Sequence, residues 1–191
     1  MARFSIVGSG AMANAIGGLL AEGGSDVSYI TRNQAGTAPL GDVLVLAVPH
    51  TAVRDILAAY GDQLTGKVVV DITNPVDVET FDSLDVPLGS SKAAEIQAAV
   101  PGAHVLKAFN TTFAGTLTSR HVGENPTTVL VAGDDAAAKA TLIAAVEAGG
   151  VPALDAGSLA RAHELEAMGF LQITLAAGGT IAWTGGFALV R

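Results

Sequence analysis

The run Gly8-Ser9-Gly10-Ala11-Met12-Ala13 has the residue types and spacing to hold an anion on backbone N–H groups. Gly8 permits a tight turn, Gly10 has no Cβ to keep a pyrophosphate away from the main chain, and Ala13 lets a following helix lie close to a sheet. The free N–H groups and positive dipole end of such a helix favour phosphate charge. An ordinary turn can show the same spacing, so the flanks decide. Phe4-Ser5-Ile6-Val7 reads as a buried strand, Met12, Ile16, Leu19 and Leu20 recur at helical spacing, and Gly23-Gly24 supplies a C-terminal cap. Val27-Ser28-Tyr29-Ile30 then completes a βαβ unit.

In such units an acid at the end of the second strand binds the ribose 2′-hydroxyl of NAD. No acid stands there. Thr31-Arg32-Asn33 offers a hydroxyl, a guanidinium and an amide, a set suited to a 2′-phosphate through charge-assisted bonds, and hence to NADP(H). The alternative for Arg32 is a solvated surface residue.

Other strand ends join the same edge. Asp42 to Val48 reads as a buried parallel strand that leaves Ala47, Val48, Pro49 and His50 at a cleft; Lys67 to Ile72 does the same for Thr73-Asn74-Pro75. Asn74 is a candidate cofactor contact, and of the four histidines only His50 ends a strand this way. The strand His104 to Ala108 delivers Phe109-Asn110-Thr111-Thr112-Phe113, a mixture suited to packing a flat ring and bonding its rim. A capped loop with two core phenylalanines is the competing reading. Asp77, Glu79, Asp82 and Asp85 match no calcium-loop spacing and read as a solvated turn.

A net charge of −8 with ten Lys plus Arg leaves no basic stripe for nucleic acid or anionic membrane. The chain has no cysteine, which excludes disulfides and thiolate chemistry and is compatible with a reducing cytoplasm. Met1 leads directly into the first strand, without a signal-peptide pattern. The most apolar tract, Met168 to Trp183, is broken by Gln172, Thr174, Thr180 and Gly178-Gly179, and reads as a buried or subunit-contacting helix rather than a membrane span.

Strands alternate with helices throughout. After the strand Thr127 to Ala132, Gly133-Asp134-Asp135 caps a helix through Ala148, and Val151 to Asp155 forms a seventh strand. We therefore expect an α/β, doubly wound parallel sheet in the default order 3-2-1-4-5-6 with the seventh strand at the far edge, followed by a short helical segment. Residues 1–157 are expected to form the dinucleotide-binding domain, and residues 158–191 a helical segment packing on it or on a dimer partner. The second crossover, Arg32 to Gly41, is rich in breakers, and its helix is expected to be missing.

Gly8 to Ala13, Thr31-Arg32, the K-A-F-N-T run at Lys107 to Thr111, the V-A-G-D-D run at Val131 to Asp135 and the D-A-G at Asp155 to Gly157 stand in an order that resembles the NADP-linked oxidoreductases of the deazaflavin coenzyme F420. The eukaryotic metalloreductase domains look similar too. The resemblance implies a Rossmann-type domain, a homodimer, and NADPH with its nicotinamide toward a deazaflavin pocket. By that likeness Ser9, Met12, Thr31 and Arg32 hold the diphosphate and 2′-phosphate, while Val48, Pro49 and Asn74 flank the nicotinamide half. Ala11, Asn33 and Ala47 complete the expected cofactor contacts; His50, Phe109, Asn110 and Thr111 are expected to line the substrate. Gly36 stands where another basic group would be expected near the phosphate.

Hydride transfer between two flat rings needs their reacting carbons about 3–3.5 Å apart and shielded from water. No catalytic residue and no metal ligand is therefore assigned. Two alternatives remain: Gly8-x-Gly10-x-Met12-Ala13-x-Ala15-Ile16 also looks like the opening of pyrroline-5-carboxylate reductases, which reduce imines, and a non-catalytic NADP sensor would need the same turn.

Overall fold

The structure, a computed structural model, describes residues 2–77 and 79–190, with the side chain of Arg32 outside that description. Met1 lies outside the described residues. β1 (Arg3–Val7), α1 (Ala11–Glu22) and β2 (Asp26–Ile30) form the opening unit. There follow β3 (Val43–Leu46), α2 (Val53–Tyr60), β4 (Val68–Asp71), α3 (Lys92–Ala99) and β5 (His104–Ala108). α4 (Ala114–Ser119) and a small hairpin of β6 (His121–Val122) and β7 (Asn125–Pro126) lead to β8 (Val129–Gly133), α5 (Ala136–Ala148), β9 (Ala153–Gly157) and α6 (Ala162–Ala177).

Seven strands form one sheet in the order β2-β1-β3-β4-β5-β8-β9. Successive side chains alternate between its faces, as strand geometry requires. Phe4, Ile6, Val43, Val45 and Leu106 pack under α1 and α5, whereas Val7, Leu44, Leu46, Val69 and Val105 pack under α2 and α3. The α/β class, the mostly parallel sheet and the C-terminal helix are as expected, with β9 at the far edge.

The default order fails at the third strand. Between Ile30 and Val43 the chain forms only a 3-10 turn at Arg32–Gln34. With neither strand nor crossover helix to build outward from β2, it returns past β1 and pairs on the other side, Phe4 opposite Val43. A second difference is that β8 runs antiparallel to β5, with Ala108 opposite Val131. α4 has only six residues, so the chain does not travel back along the sheet before re-entering it.

That reversal carries Gly133-Asp134-Asp135 to the edge where the parallel strands begin, opposite the glycine turn. Two of the runs that carry the resemblance, Val131 to Asp135 and Asp155 to Gly157, hold structure together there. Asp135 caps α5 by accepting from Ala138 N–H at 2.7 Å, Asp134 accepts from Leu159 N–H at 2.9 Å, and Lys139 Nζ joins Asp155 (2.7 Å) to the Gly157 carbonyl (3.1 Å). The Lys139 bond and the Gly157 N–H hold the Asp155 carboxyl below its ordinary value. Asp135→Ala is expected to cost about 1 kcal/mol in urea unfolding, the usual worth of an N-cap, with dinucleotide affinity unchanged. Among the described residues no helix is long and apolar enough to cross a membrane.

Candidate active site at the carboxyl edge of the sheet

Three strand ends converge on Gly8. Its N–H donates to the Ile30 carbonyl at 3.1 Å, and its φ of +130° is one that side-chain-bearing residues rarely adopt. A Cβ on Gly8 would lie 2.1 Å from the Ala47 carbonyl oxygen, so glycine is required twice over, by backbone and by space. Gly10 precedes the first turn of α1, which has no side-chain cap, and a Cβ there would meet no heavy atom within 4 Å. Open space above uncapped N–H groups is the geometry of an anion site. Ala13, only 1% exposed, lies in the core against the sheet.

The neighbouring expected contacts take these places. Ser9 and Ala11 are exposed beside the turn, and Met12 is half-buried. Thr31 gives both its N–H and its hydroxyl to Gln34 Oε1, at 3.0 and 2.8 Å, and Asn33 is exposed. The side chain of Arg32 lies outside the described ones. Ala47 N–H donates to the Val7 carbonyl at 3.0 Å, Val48 packs toward the α2 layer, and Pro49 is exposed.

Beside the first turn of α1 lies a cavity of about 390 Å³. Ala11 and Met12 meet Asn74, Phe109 and Asn110 on its wall, so residues from three separate strand ends come together. Its described lining contains no ionisable side chain. Another hollow, of about 350 Å³ between Leu57, Thr65 and Pro101, opens at the opposite edge, away from every expected site residue. Thr111 is buried but not part of the 390 Å³ wall; its carbonyl accepts from Gln172. His50 is also absent from that wall: buried, it sets Nε2 3.3 Å from Asp85 Oδ2. His104 faces Asp135 at 3.4 Å, and His121 and His163 bond backbone carbonyls.

The polar part of the wall is tightly fixed. Asn74 Nδ2 donates to the Asn110 carbonyl at 2.8 Å, and Asn110 Nδ2 donates to Asn74 Oδ1 and the Leu165 carbonyl at 2.9 and 2.8 Å. Those two acceptors settle which way the Asn110 amide faces. Asn110 Oδ1 is then left buried without a partner, an uncommon and costly condition that suits a ligand donor. Gly169 lets α6 approach: a Cβ there would lie 2.3 Å from Asn74 Oδ1. Phe109, fully buried, holds a φ of +62°, a conformation unfavourable for an aromatic residue and concentrated at functional sites.

Behind this wall lies a buried ionic cluster. Lys107 Nζ contacts Asp71 Oδ2 at 2.7 Å, Glu166 Oε1 at 2.8 Å and the Thr73 carbonyl at 2.6 Å, and all three charged side chains are 0% exposed. Glu166 also accepts from the N–H groups of Lys92 and Ala93 at the start of α3, at 2.9 and 3.3 Å. Burial pushes the Glu166 carboxyl above its ordinary value, against the opposing pull of Lys107. The cluster ties β4, β5, α3 and α6 just below Asn74 and Asn110. A signal for it existed in the sequence, because Asp71 and Lys107 interrupt strands that are otherwise apolar, and buried charges come paired. The acidic turn, by contrast, folds on itself: Asp77 accepts from Thr80 and Glu79 N–H groups, which hold its carboxyl below the usual range. Among the described residues no cluster of potential metal ligands forms.

Residues 27–75 match the family described as NADP oxidoreductase coenzyme F420-dependent. The chain is 31% identical over 182 residues to the metalloreductase STEAP3 of Rattus norvegicus, covering 87% of this chain and 36% of that protein. It therefore spans about a third of that relative's length. It is 29% identical over 163 residues to the F420-dependent NADP reductase of Methanocaldococcus jannaschii, covering 82% of this chain and 72% of that one. A protein of Arthrobacter sp. FB24 shares the fold at a TM-score of 0.83 and 24% identity, over 100% of both chains. The match over residues 27–75 and the likeness to the Methanocaldococcus jannaschii reductase point to the same proteins that the sequence resembles, the coenzyme F420-dependent NADP oxidoreductases.

Proposed function

We propose that the chain moves a hydride between NADPH and a flat acceptor, with a deazaflavin-type coenzyme as the acceptor class. The observation that carries this reading is the cavity of about 390 Å³ beside the glycine turn, whose lining includes Asn110, a residue with a buried and unpartnered Oδ1. The residues present fit the dinucleotide. The N–H groups from Gly10 to Met12, with Gly8 and Ser9, would take the diphosphate; Thr31, Arg32 and Asn33 would take the 2′-phosphate; Ala47, Val48, Pro49 and Asn74 would border the nicotinamide half. Asn110 Oδ1 would accept from the carboxamide NH₂.

When bound, NADPH supplies the hydride. This chain's residues orient the rings and exclude water: Phe109 and Met12 give an apolar floor, and the Asn74–Asn110 pair fixes the rim. The described wall has no ionisable side chain to protonate an imine nitrogen ahead of the hydride, whereas a deazaflavin accepts the hydride at a ring carbon and takes its one proton from solvent afterwards, which favours the flat acceptor. In this proposal residues 1–157 form the dinucleotide-binding domain, residues 158–191 the segment packed on it, and the protein is a cytoplasmic homodimer.

Incubation with NADPH and a panel of deazaflavin, flavin, ferric chelate and cyclic imine acceptors tests the proposal through the loss of NADPH absorbance. Turnover of the flat rings is expected. Turnover of the imine alone would favour the imine reductase, and tight binding with no turnover would favour a sensor. Arg32→Ala is expected to weaken NADPH binding by about 1.5–3 kcal/mol, roughly ten- to a hundred-fold or slightly more, with NADH little changed. Equal losses for both dinucleotides would contradict the assignment of Arg32.

A further inference from the structure

We infer that Trp183, with Phe113, forms the acceptor end of the cavity and selects a planar fused ring as second substrate. Both rings line the cavity, with centroids 4.9 Å apart and planes inclined by 57°. Phe113 is only 8% exposed and belongs to the loop that β5 delivers, whereas Trp183 comes from the segment after α6 and is 54% exposed. A large indole left half in solvent at a cavity mouth keeps area available for a partner ring, and aromatic rings stack at about these separations.

The segment is held in place by more than one contact. Gln172, 2% exposed on α6, donates to the Thr111 carbonyl at 3.3 Å and accepts from Phe187 N–H at 3.0 Å. Upstream, the backbone of Trp183 and Thr184 lies so close to Gly115 that a Cβ there would meet Thr184 Cγ2 at 3.0 Å and the Trp183 carbonyl at 3.1 Å. Trp183 is thus held at its own backbone and again at Phe187, beside the cavity that Asn110 also lines. The wall is aromatic at Phe113 and Trp183 and its polar side chains, Asn74, Asn110 and Thr112, are uncharged, an arrangement that takes flat rings and gives little grip to a compact, hydrated acceptor such as a ferric chelate.

This inference rests on the proposed function and deepens it. Its test uses the fact that Trp183 is the chain's sole tryptophan, so its emission reports this position alone. With the protein saturated in NADP⁺, a titration with oxidised 5-deazariboflavin or flavin mononucleotide is expected to quench that emission saturably, beyond the loss seen with free N-acetyltryptophanamide. A ferric chelate is expected to show no saturable quenching. In steady state, Trp183→Ala is expected to raise the KM for the flat acceptor about tenfold while leaving the NADPH Kd unchanged, and Trp183→Phe to recover most of the loss. Unaltered emission and an unaltered KM in an enzyme that still binds NADPH and reduces flat acceptors would overturn the inference alone. Failure of the wild-type protein to bind NADPH would remove the proposed function and this inference with it.

Discussion

Lys107→Met is expected to lower the free energy of unfolding by about 3–5 kcal/mol, the usual cost of removing one partner from a buried ionic cluster. The ammonium stands between two fully buried carboxylates, and no solvent reaches Asp71 or Glu166 to replace it. Its loss also strips a donor from the Thr73 carbonyl. Domain stabilities of about 5–15 kcal/mol leave such a variant folded but marginal, so urea unfolding can measure it.

The pH dependence has a definite sign. Because burial holds the Glu166 carboxyl above its ordinary value, the folded state binds more protons than the unfolded state between the two values. Stability therefore falls as pH rises through that window, above the ordinary carboxylate range, and rises again on acidification. Without Lys107 the window widens, so the variant is expected to lose more stability at about pH 8 than at about pH 5, where Glu166 is closer to being neutral. Adding Glu166→Gln to Lys107→Met is expected to restore part of the loss, a coupling that a double-mutant cycle reads directly. A loss equal at both pH values and additive in the cycle would show that the cluster is not electrostatic in its effect.

Gly8→Ala is the second large effect. A Cβ at φ +130° costs about 1–3 kcal/mol in backbone strain, and its overlap with the Ala47 carbonyl, at 2.1 Å, adds about 1–3 kcal/mol more. Relief by moving the turn would break the Gly8 N–H bond to Ile30 and displace the N–H groups that follow. The variant is expected to melt lower and to bind NADPH at least tenfold more weakly. Gly10→Ala serves as the control, since its Cβ would meet no protein atom within 4 Å: stability is expected to hold while NADPH affinity drops. Retained affinity in a folded Gly10→Ala would contradict a diphosphate seated there.

The opening unit was legible because its signals are local. The strand, glycine turn and helix each have their own period, and Asp135 likewise stands one residue before the helix it caps. Strand order was not legible, because Val43–Leu46 is apolar on both faces and says nothing about which side of β1 it joins. The same holds for Val129–Gly133, whose composition is as compatible with antiparallel pairing as with parallel. Within the site, the approach of Phe109 and Asn110 to the glycine turn followed from strand ends sharing an edge. The free Asn110 Oδ1 did not follow, because it depends on Asn74 and Leu165 both claiming Nδ2. Trp183 read as part of an apolar tract, yet α6 ends at Ala177 and the residues beyond it fold back over the cavity. His50 was placed at the right edge by its strand but pairs with Asp85, a residue far along the chain.

The most direct measurement is a crystal structure of the complex with NADP⁺. The expected result places the diphosphate within hydrogen-bonding distance of the N–H groups from Gly10 to Met12, and the nicotinamide between Phe109 and Asn74 with its carboxamide on Asn110 Oδ1. A dinucleotide bound elsewhere, or an empty glycine turn at saturating NADP⁺, would contradict it.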